Sequence, residues 1–378
     1  MSDTLPLFVG LDYHQQAVQV CVLDAQGRQL LNRPLDNDCQ AIAAAVAQLG
    51  GTVQRAGIES CSGAADLAQE LADQCGWSID LAHPGYVNRM KQSPDKSDYS
   101  DGRMIADLVR VGYLPKVWLA PEPIRELRRM VRHREALVNE RRAAKQRINA
   151  ILREQRLRCV DHSRWSKAWM NWLCDVAPLS PAGRWIIDRQ LQHLRHLCGE
   201  IQEAEKQLTL MTRADLTVKK LKTLPGIGEV TAWIVRASIG RFDRFATGKQ
   251  LSRFCGLSPR NASSGTRVAD AGLIKAGDPL LRATMIEMSH RLIRTERRWR
   301  ELAEKMRAAG KPPCLIVAAV ANRYVRWMFQ QMNQKPNQPA ASSSSASSGR
   351  TIRKNQRKNQ RKNQCARWPG PKLMNVSS

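Results

Sequence analysis

The spacing of apolar residues changes three times along this chain. Near the start, the apolar run Leu7 to Leu11 gives way to a polar break at Tyr13 to Gln16 and then to the β-rich stretch Ala17 to Leu23. Gly27 then turns the chain into a third strand. Residues 38 to 49 repeat Ala, Ile and Leu at helical spacing, Arg55 to Glu59 reads as a strand, Ala64 to Cys75 as a helix and Trp77 to Ala82 as one more strand. This order predicts an α/β domain around a central mixed sheet.

From about Pro121 to Cys159 the period lengthens. Ile124, Leu127, Val131, Val138, Ala144, Ile148 and Ile151 recur near heptad spacing among Arg and Lys, predicting one long helix. Leu191, Leu194, Cys198, Ile201 and Leu208 predict a second, from about Ile187 to Met211; the two helices can pair as a coiled coil within one chain or between protomers. Residues 219 to 330 read as a compact, mainly helical unit with Gly-rich connections at Pro225 to Gly228 and Gly256 to Gly277. Beyond Asn333 the composition falls to Pro, Gln and Ser and then to an Arg-Lys-Asn-Gln repeat from Arg353 to Gln364, which predicts disorder. The predicted divisions are residues 1–112, an α/β domain in the element order of an RNase H-like fold; 113–215, a coiled-coil helical linker; 216–333, a mainly α domain; and 334–378, a basic tail.

Charge sharpens these divisions. The chain of 378 residues carries a formal +26, yet residues 1–112 hold 8 Lys and Arg against 14 Asp and Glu, while residues 334–378 hold 10 against none. An acidic domain joined to a basic one suits an enzyme of nucleic acids, because carboxylates hold divalent metal and Lys and Arg hold phosphates. A protein of basic membrane surfaces needs no acidic half. No apolar run approaches the ~20 residues of a bilayer span, the first residues lack an export leader, and the ten cysteines show no C-x-x-C pair. These features predict a soluble, cytoplasmic protein with reduced thiols and no membrane partner.

Four carboxylates stand out. Asp12 and Glu59 each end an apolar strand, so both emerge at strand ends that are potential neighbours in one sheet. Asp98 and Asp101 lie three residues apart in the stretch Lys96 to Asp107, which as a helix puts both on one face, extended by Asp95. Each has an ordinary alternative: a strand-end loop carboxylate, or a solvated helix start. Converging, the four suit two Mg²⁺ ions, one activating an attacking oxygen and one stabilising a leaving oxygen in phosphodiester chemistry.

Farther along, Leu224-Pro225-Gly226-Ile227-Gly228 resembles the turn of a helix-hairpin-helix, whose glycines (Gly226 and Gly228 here) let backbone N–H groups approach phosphate. Lys219, Lys220 and Lys222 precede it and Arg236, Arg241 and Arg244 follow, a pattern for backbone binding or simply a solvated basic face. Trp165, Trp169 and Trp172 offer stacking surfaces for unpaired bases, though ordinary core is the simpler reading.

Together, Gly10-Leu11-Asp12, Ile58-Glu59, Lys96-Ser97-Asp98-Tyr99-Ser100-Asp101, Leu224 to Gly228, and Cys255-Gly256-Leu257-Ser258-Pro259 through Ser263-Ser264-Gly265 to Lys275 resemble the Piv-like DEDD transposases and invertases of bacterial insertion sequences, over roughly residues 7 to 330. The resemblance implies a RuvC-like domain, a coiled-coil connection and a C-terminal transposase domain. It implies that Asp12, Glu59, Asp98 and Asp101 are the metal-binding tetrad, that Ser264 is a covalent nucleophile with Ser263 the alternative, and that Lys275 joins the nucleic-acid-binding set. It further implies a guide RNA beside duplex DNA of element ends and target, and a dimer or tetramer in which the serine and the carboxylates meet between protomers. The chain departs from the pattern in Tyr13-His14 after the first Asp, Gly102 after the last, and Thr266-Arg267 after the Ser-Gly element. The expected function is cutting and rejoining of DNA. The rival readings are a Holliday-junction-type nuclease, in which the tetrad activates water, and a non-catalytic nucleic-acid-binding protein.

Overall fold

Val9, Leu11, Val18, Val20 and Val22 are all fully buried, which puts the first two strands in the middle of a sheet. The computed structural model describes residues 4–90, 97–261, 270–274 and 277–334, and the chain divides into two compact units, residues 1–121 and 122–378.

In the first unit, strands β1 (Leu5–Tyr13), β2 (Ala17–Leu23), β3 (Gln29–Asp36), β4 (Gly51–Glu59), β5 (Ile79–Ala82) and β6 (Lys116–Val117) form one sheet in the order β3-β2-β1-β4-β5-β6. β1, β2 and β3 are antiparallel neighbours, whereas β4 lies parallel to β1 and β5 parallel to β4. Side chains alternate between the faces of a strand. Leu7, Val9 and Leu11 of β1, Val18, Val20 and Val22 of β2 and Ala56 and Ile58 of β4 therefore share one face, buried under helices α1 (Cys39–Ala47) and α2 (Ala64–Cys75). Phe8, Cys21 and Leu23 belong to the opposite face, which, beyond α3 (Pro84–Met90) in chain order, packs against α4 (Asp98–Arg110) through Ile105, Ala106 and Val109.

The seat of α4 is built from glycine. Gly10 and Gly57 are register partners on β1 and β4. A Cβ at Gly10 would lie 2.2 Å from the Gly102 carbonyl oxygen and 2.3 Å from the Ala106 nitrogen, and one at Gly57 would lie 2.5 Å from Val109. The absent Cβ at position 10 lets the helix backbone rest this low on the sheet, and at position 57 the Val109 side chain fills the space a Cβ would take.

In the second unit, α5 (Glu122–Glu154) and α7 (Pro181–Thr212) run antiparallel within the chain, so the two long helices pair with each other. Ala144, Ile148 and Leu152 meet Ile187, Leu191 and Leu194, and Leu137 meets Leu197, Ile201 and Ala204. Arg134 of α5 donates twice to Glu205 Oε1 of α7, at 3.0 and 2.8 Å. The helix α7 starts before the predicted Ile187, because Ser180 caps it by accepting from the Gly183 N–H at 3.1 Å and Pro181 opens its first turn. Between the long helices, α6 (Lys167–Asn171) continues into a π-helical turn, Trp172–Val176, and Trp169 is buried in the core there.

The chain then forms α8 (Leu216–Lys222), α9 (Glu229–Ile239), α10 (Gly248–Phe254), the antiparallel pair β7 (Pro259–Asn261) and β8 (Asp270–Leu273), and α11 (Pro279–Thr295), α12 (Arg297–Ala308) and α13 (Pro313–Asn333). Leu127 and Val131 of α5 join the core of these helices, as does Leu208 of α7. The short elements α3, β6, β7 and β8 carry too few residues to show a period. Among the described residues no helix is long and apolar enough to cross a membrane, and the cysteines are free thiols.

Candidate active site

Alternation decides where the strand-end carboxylates point. Asp12 shares the parity of Phe8 and Gly10, and Glu59 that of Gly57, so both belong to the face on which α4 sits. Strand β1 runs on to Tyr13, which makes Asp12 part of the strand and not of the loop after it. Leu11 and Ile58 are register partners on parallel strands, so Asp12 and Glu59 follow side by side at the same sheet edge. Their shared neighbour is Cys61: burial pushes its thiol up from the usual range, and the Glu59 and Asp12 carboxylates raise it further.

Asp98 and Asp101 both fall in the first turn of α4. That turn is pinned to β3, where Asn32 donates to the Tyr99 carbonyl at 3.0 Å and Gln29 to the Tyr99 hydroxyl at 2.7 Å. Carboxylates at a helix start complement its dipole, and Asp98, 51% exposed, fits that ordinary role. Asp101 does not, because it is only 6% exposed. Asp95 lies outside the described residues.

Among the described residues, one cluster of ligand atoms results. Asp12, His14 and Asp98 each offer one atom, all within 4.8 Å of one another. His14 Nε2 lies 3.5 Å from Asp12 Oδ2 and 3.3 Å from Asp98 Oδ2. That spread is close to the width of a first coordination shell, roughly 4.2 Å for Mg²⁺, and hard carboxylate oxygens are the donors such ions take. Glu59 is not a member of this cluster but adjoins it through strand register, and Asp101 adjoins it by sharing a helical turn with Asp98. In the sequence His14 stands out only as a departure from the family pattern after Asp12, with no ligand role attached. Its only signal was an imidazole two residues beyond a strand-end Asp.

The candidate nucleic-acid residues lie in the second unit. Helices α8 and α9 flank the turn at Gly226, whose φ of 82° and whose approach to Leu292, 2.8 Å from an ideal Cβ, both require glycine. Gly228 is exposed and caps α9 with no side-chain hydrogen bond. Lys219 is exposed, Lys222 pairs with Glu229 at 3.0 Å, and Lys220 donates to the carbonyls of Met332 and Gln334. Arg236 pairs with Asp215 at 2.6 Å, and Arg241 with Asp243 at 3.3 Å. Arg244 stacks over Phe245 and Phe254, and burial first, then Arg128, lowers its pKa to about 10. Ser263, Ser264 and Lys275 lie outside the described residues; the two serines fall in sequence between β7 and β8.

Comparison with known proteins brings both units together. The model of the IS110 DEDD transposases matches residues 9–156, and that of the IS116/IS110/IS902 transposase family matches residues 218–304. The chain is 24% identical to the transposase for insertion sequence element IS1111A of Coxiella burnetii, covering 76% of this chain and 78% of that one. It is 28% identical to the transposase for insertion sequence element IS1328 of Yersinia enterocolitica over 61% of this chain and 68% of the relative. With a probable family 20 transposase of Pseudomonas aeruginosa the identity is 27%, over 86% and 97%.

Proposed function

Since the chain belongs to the IS110 family of DEDD transposases and is a DNA-recombining enzyme, we propose that its first unit is an RNase H-like nuclease domain in which Asp12, Glu59, Asp98 and Asp101 bind Mg²⁺, and that Ser264 is its nucleophile. The observation that carries this reading is the approach of Asp12 and Asp98 ligand atoms on the α4 face of the sheet, beside the strand end of Glu59 and the buried Asp101. The strand order β3-β2-β1-β4-β5 supports the fold assignment.

Bound there, Mg²⁺ supplies Lewis-acid stabilisation of the charge that develops on phosphate oxygens. The protein's part is placement. Asp12 and Glu59 give donors fixed by a hydrogen-bonded sheet, while Asp98 and Asp101 give donors fixed by a helix seated on glycine. The Ser264 hydroxyl forms an ester with phosphorus as a DNA P–O bond breaks, and attack by a DNA hydroxyl on that ester rejoins the strand, so the bond energy is kept within the covalent intermediate. Ser263 is the alternative nucleophile.

The substrates are the element ends and target DNA, held with a guide RNA by the basic half of the chain in a homo-oligomer. Lys219, Lys220, Lys222 and Lys275 contact phosphates, and the backbone at Gly226 and Gly228 approaches one. A plasmid recombination assay with the element's ends and flanking noncoding DNA, resolved on a denaturing gel, tests the serine role. Wild type is expected to give rejoined product and a protein–DNA adduct, both lost in Ser264→Ala. Cleavage that survives this substitution and still needs Asp12 identifies a water-activating nuclease instead.

A further inference from the structure

His14 is no part of the carboxylate tetrad, yet its Nε2 stands between the carboxylates of Asp12 and Asp98, at 3.5 and 3.3 Å. The ring is delivered there by a held turn. The His14 backbone N–H donates to the Ala17 carbonyl at 3.0 Å, and its own carbonyl accepts from Asn37 Nδ2 at 3.2 Å, which fixes the link between β1 and β2. The side chain is 47% exposed, so burial does not account for its position.

We propose that His14 is a nitrogen ligand of the divalent-metal centre, coordinating through Nε2, so that this centre is a mixed nitrogen and oxygen site. The proposal rests on the reading that Asp12 and Asp98 hold a divalent ion. Two oxygens and one nitrogen already lie within 4.8 Å of one another, close to the roughly 4.2 Å across which a single Mg²⁺ holds opposite ligands. A neutral imidazole in such a set changes which ions bind well. Mg²⁺ favours oxygen donors, whereas transition ions also take imidazole. Mn²⁺ takes the oxygen donors that suit Mg²⁺ and is paramagnetic, so it is the probe that reports whether the nitrogen of His14 joins them.

Pulsed electron paramagnetic resonance of the full-length protein loaded with Mn²⁺ reads the ligand directly. The wild type is expected to show nitrogen modulation from a coordinated imidazole. His14→Gln is expected to lose it while still binding Mn²⁺, with a dissociation constant raised roughly tenfold, the lower end of what even outer-shell changes at metal sites produce. Mg²⁺ affinity stays nearly unchanged, and Asp12→Asn removes the bound Mn²⁺ signal, which identifies the site. Mn²⁺ bound without nitrogen modulation, or modulation that survives His14→Gln, overturns the proposal and leaves the carboxylate centre standing. Absence of any Mn²⁺ binding that depends on Asp12 overturns the carboxylate centre itself, and this ligand with it.

Discussion

A carboxylate at the start of a helix is ordinary when water reaches it and expensive when water does not. Asp98 and Asp101 occupy the same turn, but one is half exposed and the other buried. A purely structural Asp101 would tolerate Asn, which keeps its shape and relieves the cost of a buried charge. A metal ligand would not. Asp101→Asn is therefore expected to leave the melting temperature within a few degrees and to reduce recombination by at least about 100-fold, the upper end of what outer-shell changes cost, as measured by product formation on plasmids. Binding of an ion to the folded state also stabilises it by mass action. Adding Mg²⁺ or Mn²⁺ to chelator-treated wild type should raise its melting temperature, and Asp12→Asn should abolish that rise. Asp12 and Glu59 were legible in the sequence because a strand's period of two and an apolar run mark where a carboxylate emerges. The place of His14 was not legible, since nothing in the neighbouring residues reveals that the turn folds its ring back between Asp12 and Asp98. Nor was the engagement of Lys220, whose carbonyl partners lie at the far end of α13.

At the scale of elements, the geometry of the carboxylate cluster depends on how low α4 sits. The adjacent glycines at positions 10 and 57 make that seat, and a methyl group at Gly10 would meet helix backbone at 2.2 Å, where no side chain can rotate away. Overpacking of this kind costs typically about 1–3 kcal/mol. Gly10→Ala should therefore lower the melting temperature and, by lifting the turn that carries Asp98 and Asp101, suppress recombination more than the stability loss alone explains; near-normal activity in this variant would detach α4 from the chemistry. The α5–α7 pair rests on a different device, an apolar stripe. Ile148 is fully buried between the two helices, so Ile148→Ala is expected to cost roughly 2–5 kcal/mol, measured by denaturant unfolding. Heptad spacing foretold both long helices, but not whether they pair within a chain, because that choice depends on the return path through α6 and the π-helical turn. The strands of the mixed sheet were legible through alternation, while β6, β7 and β8 were too short to carry it.

For the whole molecule, the separation of charge is the governing feature. Acidic residues concentrate where the carboxylate cluster forms, and the excess of Lys and Arg lies from residue 113 onward. Several of those cations are already committed within the fold, as Arg236 is to Asp215 and Arg134 to Glu205, so the formal charge overstates what remains for phosphates. Binding to DNA should still be strongly salt-dependent. With six to ten phosphate contacts the affinity falls by about 10³–10⁵ between 50 and 200 mM salt, which a filter-binding series would read. A chain ended at Gln334 loses the 10 basic residues of the tail; it should keep recombination and show a shallower salt slope. Composition made the acidic and basic halves legible, but it could not distinguish the cations that pair internally from those that face a ligand.

The decisive measurement is recombination on plasmids by wild type, Asp12→Asn and Glu59→Gln, with DNA binding and melting temperature recorded on the same preparations. If the two strand-end carboxylates hold the reacting centre, both variants bind DNA as wild type does, melt within a few degrees of it and form no product. Recombination at the wild-type rate by either variant would contradict that assignment and move the chemistry away from the α4 face of the sheet.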